Sequence, residues 1–273
     1  MKRYGKIAIV GVGLLGGSLG LCLRRRRIAR RVVGHFRDPQ KIRPALVRGA
    51  IDEGTTDLRE AVRGADIVVL ATPVGDIEKK LALLRRIAGS NALITDTGST
   101  KTSIVRAAVG LNFVGAHPLA GSEQSGIQAA RPDLFADSLC ILTPRKKDAS
   151  WLKAAAFWKR VGCRVVTMTA RRHDFILSRT SHLPHLAAFT LMACVPPETL
   201  RFAAGGLKDT TRIALSPPQL WTDIFFANRR EVLNALASYE RALGHLRHAL
   251  LHGRRPQVLS RLAAAQRKRR AAR

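Results

Sequence analysis

Residues 6–20 read KIAIVGVGLLGGSLG, a short apolar strand followed by Gly11, Gly13 and Gly16 and then by the start of a helix. In a dinucleotide-binding strand–turn–helix each glycine has its own task. Gly11 lets the chain turn tightly off the strand, and Gly13 lets the backbone approach a pyrophosphate. Gly16 lets the helix pack close to the sheet, with its N-terminal amides facing the phosphates. A glycine triplet of this spacing is weak evidence alone. Its place directly after an apolar strand and at the head of a helix is the context that gives it meaning. The alternative is a tight strand–helix turn that holds no ligand.

Outward from that turn, strand-like runs alternate with helical ones. Strands are predicted at Ile7–Val10, Val32–His35, Ile67–Ala71, Ala92–Asp96 and Asn112–Gly115. Helices are predicted between them at Leu14–Arg24, Pro39–Arg48, Ile77–Ile87 and Lys101–Val109. Strands this apolar are buried on both faces and belong to a parallel, doubly wound sheet. A strand (Ser138–Thr143), a helix (Ala149–Val161) and a strand (Cys163–Thr167) complete this half. From Ala170 the β-branched runs stop and the chain turns Ala- and Leu-rich, with breaks at Pro196–Pro197, Gly205–Gly206 and Ser216–Pro218. The expected fold class is α/β: a Rossmann-type nucleotide domain over residues 1–169, then an all-helical domain over 170–273. The basic end of the chain (Arg267 to Arg270, Arg273) reads as a solvated, frayed tail.

The chain has 273 residues, 46% of them hydrophobic, enough for one large domain or two modest ones. Lys+Arg total 47 against 19 Asp+Glu, a formal charge of +28 that favours anionic partners. Phosphorylated cofactors, carboxylate substrates and nonspecific nucleic acid all qualify. No RNA-binding aromatic motif, zinc-finger spacing or basic region with heptads accompanies the charge, so specific nucleic-acid binding is not expected. Cys22, Cys140, Cys163 and Cys194 are scattered and form no CxxC, which fits a reducing cytoplasm. Lys2 and Arg3 before an apolar run imitate a signal peptide, but glycines interrupt the run and Arg24–Arg27 ends it without a small-residue cleavage site. The longest later apolar stretch, Leu183 to Val195, is too short to span a bilayer. The expectation is a cytoplasmic protein with no membrane segment.

Four segments place polar residues where the apolar pattern does not need them. Thr95-Asp96-Thr97-Gly98-Ser99-Thr100-Lys101 joins a strand end to a helix start, the edge where open α/β sheets bind ligands. Its plainer reading makes Ser99 or Thr100 a helix N-cap. Gly115 to Glu123 (GAHPLAGSE) sets His117 just past a strand, where it can serve as a base near neutral pH or as a structural loop residue. Asp174, Ser178, Ser181 and His185 fall within a sector of about 60° on one helix, with His182 roughly 60° from His185. Pro184 should kink that helix and free a carbonyl nearby. His182 and His185 have no obvious third ligand, so no metal is expected. The last segment, Gly205 to Ala214 (GGLKDTTRIA), carries Arg212, a candidate bidentate clamp for a carboxylate or an ordinary surface arginine.

In order along the chain, GVGLLGGSLG, VVLATPV, DTGSTK, GAHPLAGSEQSG, HD with SHLPH, and GGLKDTTRIA with Trp221 beyond resemble the prephenate/arogenate dehydrogenase family of tyrosine biosynthesis. The resemblance implies a nicotinamide-dependent oxidative decarboxylation. A cyclohexadienyl substrate loses a hydride from C4 and CO2 from C1, giving 4-hydroxyphenylpyruvate from prephenate or tyrosine from arogenate. It assigns the acceptor of the C4 hydroxyl proton to His117, with Ser99 sharing hydrogen bonds to that hydroxyl. It gives the ring carboxylate to Arg212 and the cavity lining to His182, His185, Ser122 and Trp221, with Asp174 as support. Glu123 matches a polar lid position. Cofactor contacts fall to Gly11, Gly13, Leu14, Leu15, Gly16, Thr72 and Pro73. A homodimer is expected from the apolar faces of the helices after Leu186.

The second strand departs from the NAD pattern. Phe36 stands where an acid would bind the ribose 2′-hydroxyl, and Arg37 follows, suited to a 2′-phosphate. Asp38 is an alternative acid, or the N-cap before Pro39. NADP is favoured, with NAD the alternative. Two rival functions remain at this stage. A β-hydroxyacid dehydrogenase would need Lys208 in a polar pocket. A nucleotide sensor that binds nucleic acid would use the basic surface and no catalytic set.

Overall fold

The computed structural model describes residues 3–89, 91–122 and 124–271. They fall into two compact units, Met1–Asn228 and Arg229–Arg273.

In the first unit the strands are β1 (Tyr4–Val10), β2 (Ala29–His35), β3 (Glu53–Thr55), β4 (Ile67–Leu70), β5 (Leu93–Asp96), β6 (Phe113–Pro118), β7 (Leu139–Thr143) and β8 (Arg164–Thr167). They form one sheet in the order β3-β2-β1-β4-β5-β6-β7-β8. Six strands, β1 to β6, run parallel, while β7 pairs antiparallel with β6 and parallel with β8. The sequence pattern predicts a parallel sheet, and β7 departs from it for a reason of connectivity. Parallel neighbours need a crossover, usually a helix, and among the described residues between β6 and β7 the only helical element is a 3-10 turn, Ile127–Ala129. β3 was not predicted, because EGT is a three-residue edge strand with no apolar run to mark it.

The helices are α1 (Leu14–Arg25), α2 (Ile42–Val47), α3 (Leu58–Val62), α4 (Val74–Ile87), α5 (Thr102–Ala107) and α6 (Ala149–Val161). Alternate strand residues point to opposite faces, so β1 and β4 feed two cores. Ile7, Ile9, Ile67 and Val69 pack with Leu19 and Leu23 of α1 and with Phe157 and Trp158 of α6. Ala8, Val10, Val68 and Leu70 pack with Ile77 and Leu81 of α4 and with Ile104 of α5. The sheet is thus covered on both faces, as the uniform apolarity of its strands requires.

Past β8 the unit continues in α7 (Ala170–Leu177), α8 (Leu183–Ala193), α9 (Gly205–Thr211) and α10 (Pro218–Ala227). A π-helical turn, Ser178–His182, joins α7 to α8, with Pro184 in the first turn of α8. The disturbance expected from Pro184 is therefore a widened turn directly before it. The second unit is a pair of helices, α11 (Arg229–Leu251) and α12 (Arg255–Ala271), joined through Gly253 at φ +63°. Residues 255–271 are helical, and with them Arg267 to Arg270, read from sequence as a frayed tail; Arg273 lies outside the described residues. Arg, Ala, Leu, Lys and Gln dominate this helix, and all rank among the better helix formers. Among the described residues no helix is long and apolar enough to cross a membrane.

Candidate active site

Strand order reverses between β1 and β4, and ligands of open α/β sheets bind at the carboxyl ends beside such a switch. Gly11 sits there with φ +91°; a Cβ on it would lie 2.6 Å from Thr72 Cγ2 and 2.9 Å from the Ala71 carbonyl oxygen. A Cβ on Gly16 would lie 2.0 Å from the Gly11 carbonyl oxygen, so α1 can approach the strand only without one. At Gly13 a Cβ would meet nothing within 4 Å. Gly13 is the N-cap of α1 and no side chain caps that helix, which leaves the first-turn amides of Leu14 and Leu15 for an anionic ligand. Thr72 is half-buried against Gly11, and Pro73 is the N-cap of α4. These residues fit a dinucleotide pyrophosphate.

At the end of β2, Phe36 is buried in the core, its ring filling the space over Gly34 and Gly54. Arg37 beside it is exposed. Asp38 caps the 3-10 turn Pro39–Lys41, its Oδ1 accepting from the Gln40 amide at 3.0 Å. Of the two readings of Asp38, the geometry shows the cap.

Three strands away, the loop after β5 is pinned from within. Asp96 and Lys101 form an ion pair that is completely buried. Asp96 also accepts from the Gly98 amide at 2.9 Å and from the Ala116 amide of β6 at 2.9 Å. Ser99 lies half-buried on this loop. Neither Ser99 nor Thr100 caps α5; that role belongs to Asp174 of α7. Its carboxylate accepts from the Lys101 and Thr102 amides, both at 2.8 Å.

His117 lies on β6 itself, opposite Ile141 of β7, and not in the loop that the sequence suggests. Its Nδ1 is 2.8 Å from His173 Nε2, and His173 Nδ1 is 2.8 Å from Asp174 Oδ1. Only one protonation pattern satisfies this chain. Burial works to raise the Asp174 pKa, but hydrogen bonds from His173 and Thr102 outweigh it and hold the carboxyl below its usual range. An ionised Asp174 can only accept, so His173 Nδ1 carries the proton. Burial, aided by the Lys101 charge, lowers the His173 pKa despite its bond to Asp174, so His173 is neutral and its Nε2 accepts. His117 must then donate from Nδ1. Burial first, then the positive charge on Lys101 and that which His173 and His182 would carry if protonated, push its pKa well below the ordinary value. It is neutral, with its free lone pair on Nε2.

The remaining candidates gather around Trp221, which is buried. His185 stacks on its ring, with centroids 3.4 Å apart and an interplanar angle of 20°. His182 meets the same ring edge-on at 6.2 Å. His185 donates from Nδ1 to the Ser181 carbonyl at 2.9 Å. Burial lowers its pKa, the bond to the Ser181 carbonyl opposes this, and the Arg212 charge lowers it further. Ser178, part of the polar stripe read from the sequence, instead bonds the Phe175 carbonyl of its own helix. Ser122 is exposed, its Oγ accepting from the Gln124 amide, outside the cluster. Glu123 lies outside the described residues. Lys208, the lysine a β-hydroxyacid dehydrogenase would need, is exposed on α9.

Three participants escaped the sequence reading. His173 and Lys101 stand inside motifs quoted for other residues, and a polar pair HD beside a histidine-rich helix was the available signal for the first. Asn228, just past α10, gave none. Its side-chain nitrogen is 2.8 Å from the Asp174 carbonyl oxygen and 3.2 Å from His182 Nδ1.

A pyrophosphate-ready glycine turn and a neutral, buried histidine, both at the carboxyl edge of one doubly wound sheet, fit a nicotinamide-dependent dehydrogenase. Comparison narrows the class. Residues 19–167 match the family model for the prephenate dehydrogenase nucleotide-binding domain, and residues 169–264 match that for the prephenate dehydrogenase dimerization domain. The chain belongs to the prephenate dehydrogenase family and is an NAD(P)-dependent dehydrogenase. It is 35% identical to a prephenate dehydrogenase of Bacillus subtilis over 88% of this chain and 69% of that one. It is 33% identical to a cyclohexadienyl dehydrogenase of Zymomonas mobilis over 92% and 90% of the two chains. Among solved structures it superposes with a TM-score of 0.91 on prephenate dehydrogenase from Aquifex aeolicus in complex with hydroxyphenyl propionate and NAD+. That chain is 34% identical, and 98% of each chain is covered.

Proposed function

We propose that this enzyme oxidatively decarboxylates prephenate to 4-hydroxyphenylpyruvate, with NADP preferred to NAD. The observation that carries the reading is the hydrogen-bonded chain Asp174–His173–His117, which leaves one fixed lone pair, His117 Nε2, at the carboxyl edge of the sheet that also bears the glycine turn. The bound dinucleotide supplies the hydride acceptor. His117 Nε2 takes the proton of the C4 hydroxyl as the hydride departs, and Ser99 hydrogen-bonds the same hydroxyl. Arg212 holds the ring carboxylate that leaves as CO2. His182, His185 and Trp221 line the cavity, and Asp174 sets the tautomers behind it. Aromatisation drives the reaction, so positioning and one good base suffice.

The cofactor preference rests on the end of β2, where Phe36 is committed to the core, Asp38 to its cap, and Arg37 is exposed. Residues 1–169 hold the dinucleotide, and residues 170–273 shape the substrate site and the dimer. A homodimer is supported by the match to a dimerization domain and by exposed Leu243, Leu250, Leu251, Leu259 and Leu262 on α11 and α12. Function in the cytoplasm, with a small-molecule partner and not nucleic acid, agrees with this chemistry. The deciding experiment is steady-state kinetics of prephenate and arogenate, each with NAD and NADP. A higher kcat/KM for prephenate with NADP is expected. A preference for arogenate would reassign the substrate, and turnover of neither would overturn the reading.

A further inference from the structure

We infer that Asn228 is a positioning residue that locks His182 as a hydrogen-bond donor, so the pocket offers its substrate acceptor imidazoles at His117 and His185 and a donor imidazole at His182. This rests on the reading above that the substrate lies among His117, His185 and Trp221. One atom of this contact has no freedom of role. The Asp174 main-chain oxygen can only accept, so the Asn228 group 2.8 Å from it is the amide nitrogen. The same nitrogen lies 3.2 Å from His182 Nδ1. An amide NH2 donates and does not accept, so Nδ1 must present a lone pair. Burial above all, opposed by Asp174 and aided by His173 and His185, brings the His182 pKa down to about 4. A neutral ring whose Nδ1 is bare carries its single proton on Nε2.

That Nε2 is buried and has no hydrogen-bond partner among the described residues. Such a donor is costly to leave unmade, and a native structure that keeps one calls for an explanation. Its surroundings supply one. The ring stands edge-on to Trp221, and its charge would be felt by His117 and His185 alike. The ligand group it fits is an oxygen acceptor of the substrate, a hydroxyl, carbonyl or carboxylate. A neutral N–H holds such an oxygen without the full charge of an arginine. Asp174 thereby fixes both rings in opposite senses, through its carboxylate by way of His173 and through its carbonyl by way of Asn228.

The direct test is a long-range 15N–1H spectrum of the histidine rings in the full chain with NADP bound, near pH 7.5, assigned with His182→Gln. Expected is a bare Nδ1 and a protonated Nε2 at His182, with the reverse pattern at His117. A protonated Nδ1 at His182 overturns the inference, whether or not prephenate is turned over. Absence of turnover with the expected spectrum would instead remove only the functional reading. Substitution gives the second arm. Asn228→Asp replaces the donor by an acceptor beside Nδ1 and should raise the His182 pKa. It should raise KM about three- to tenfold, the usual worth of a neutral hydrogen bond, leave dinucleotide Kd unchanged, and add an ionisation between pH 5 and 8 to the kcat/KM profile. Asn228→Ala should raise KM without that ionisation. Equal losses in both variants with identical pH profiles would make Asn228 a plain structural tie and sink the proposal.

Discussion

The two sides of the pocket are built on different terms. On the side of β5, β6 and α7, His173, Asp174 and Lys101 are buried and each is bonded to named partners. On the other side Arg212 opens a 3-10 turn, Arg212–Leu215, in which nothing is buried, and the turn Pro197–Phe202 before it buries nothing either. Phe202 and Leu215 are 73% and 74% exposed there. A base has to present its lone pair in one direction before substrate arrives, so it is set into the fold. A clamp on a charged carboxylate tolerates more latitude, because Coulomb attraction falls gently with distance while a hydrogen bond does not.

The sharpest way to break this contrast is His117→Asn. Turnover should fall by about two to four orders of magnitude, the usual share of a general base, while calorimetric dinucleotide affinity stays as in the parent. Near-parental turnover would remove His117 from the chemistry. Next comes Asp174→Asn, which weakens bonds to His173 and to the head of α5 together. Chemical denaturation should show a loss of roughly 2–4 kcal/mol. Arg212→Ala should stay within about 0.5 kcal/mol of the parent in stability. If the two stability changes came out alike, the two sides of the pocket would not differ as described. Arg212→Ala should instead raise KM about tenfold or more without touching cofactor affinity; a dominant loss of cofactor affinity would place Arg212 in another subsite.

The cofactor end allows a similar pairing. Arg37→Ala should weaken NADP about ten- to a hundredfold, a charge-assisted contact being worth roughly 1.5–3 kcal/mol, and leave NAD nearly unaffected. Phe36→Asp should act oppositely but at a stability cost, since Phe36 is core. The smallest expected effect is one of pH. His182 binds its proton near pH 4 in the folded chain and near 6.5 when unfolded. Below 6.5 the unfolded state therefore binds more protons, and stability falls with pH. From pH 7 to pH 5 His182 alone should cost about 1–2 kcal/mol in urea melts. His117 and His173, also lowered, push the same way. Asp174, itself lowered, adds to the loss only at more acid pH. A flat profile from pH 7 to 5 would mean these rings are not held neutral.

What could be read in the sequence divides along the same physical line. Gly11, Gly13 and Gly16 announce themselves because their reason is local, a turn, an approach and a close packing within a few residues. The strands are legible because burial on both faces leaves an unbroken apolar run. His117, His182, His185 and Arg212 stand out as candidates because they lie in polar segments that an apolar pattern does not require. Asn228 stayed hidden because its partners, Asp174 and His182, lie 54 and 46 residues away. The capping of α5 was misread for the same reason. Sequence offers Ser99 or Thr100 nearby, whereas the acceptor comes from a carboxylate more than 70 residues along the chain. The reversed direction of β7 is likewise invisible in a strand of five residues.

That reversal has a mechanical consequence. The ladder between β5 and β6 reaches Thr95 and Val114 and goes no further. His117 stands three residues beyond, an overhang past the edge of the parallel sheet. It is braced on one flank by the Asp96 carboxylate gripping the Ala116 amide, and on the other by β7, whose register runs from Gly115↔Thr143 to Pro118↔Cys140. Pairing with the oppositely directed strand takes over at Gly115, where the parallel ladder gives out, so His117, the proposed base, sits on a cantilever braced along both flanks.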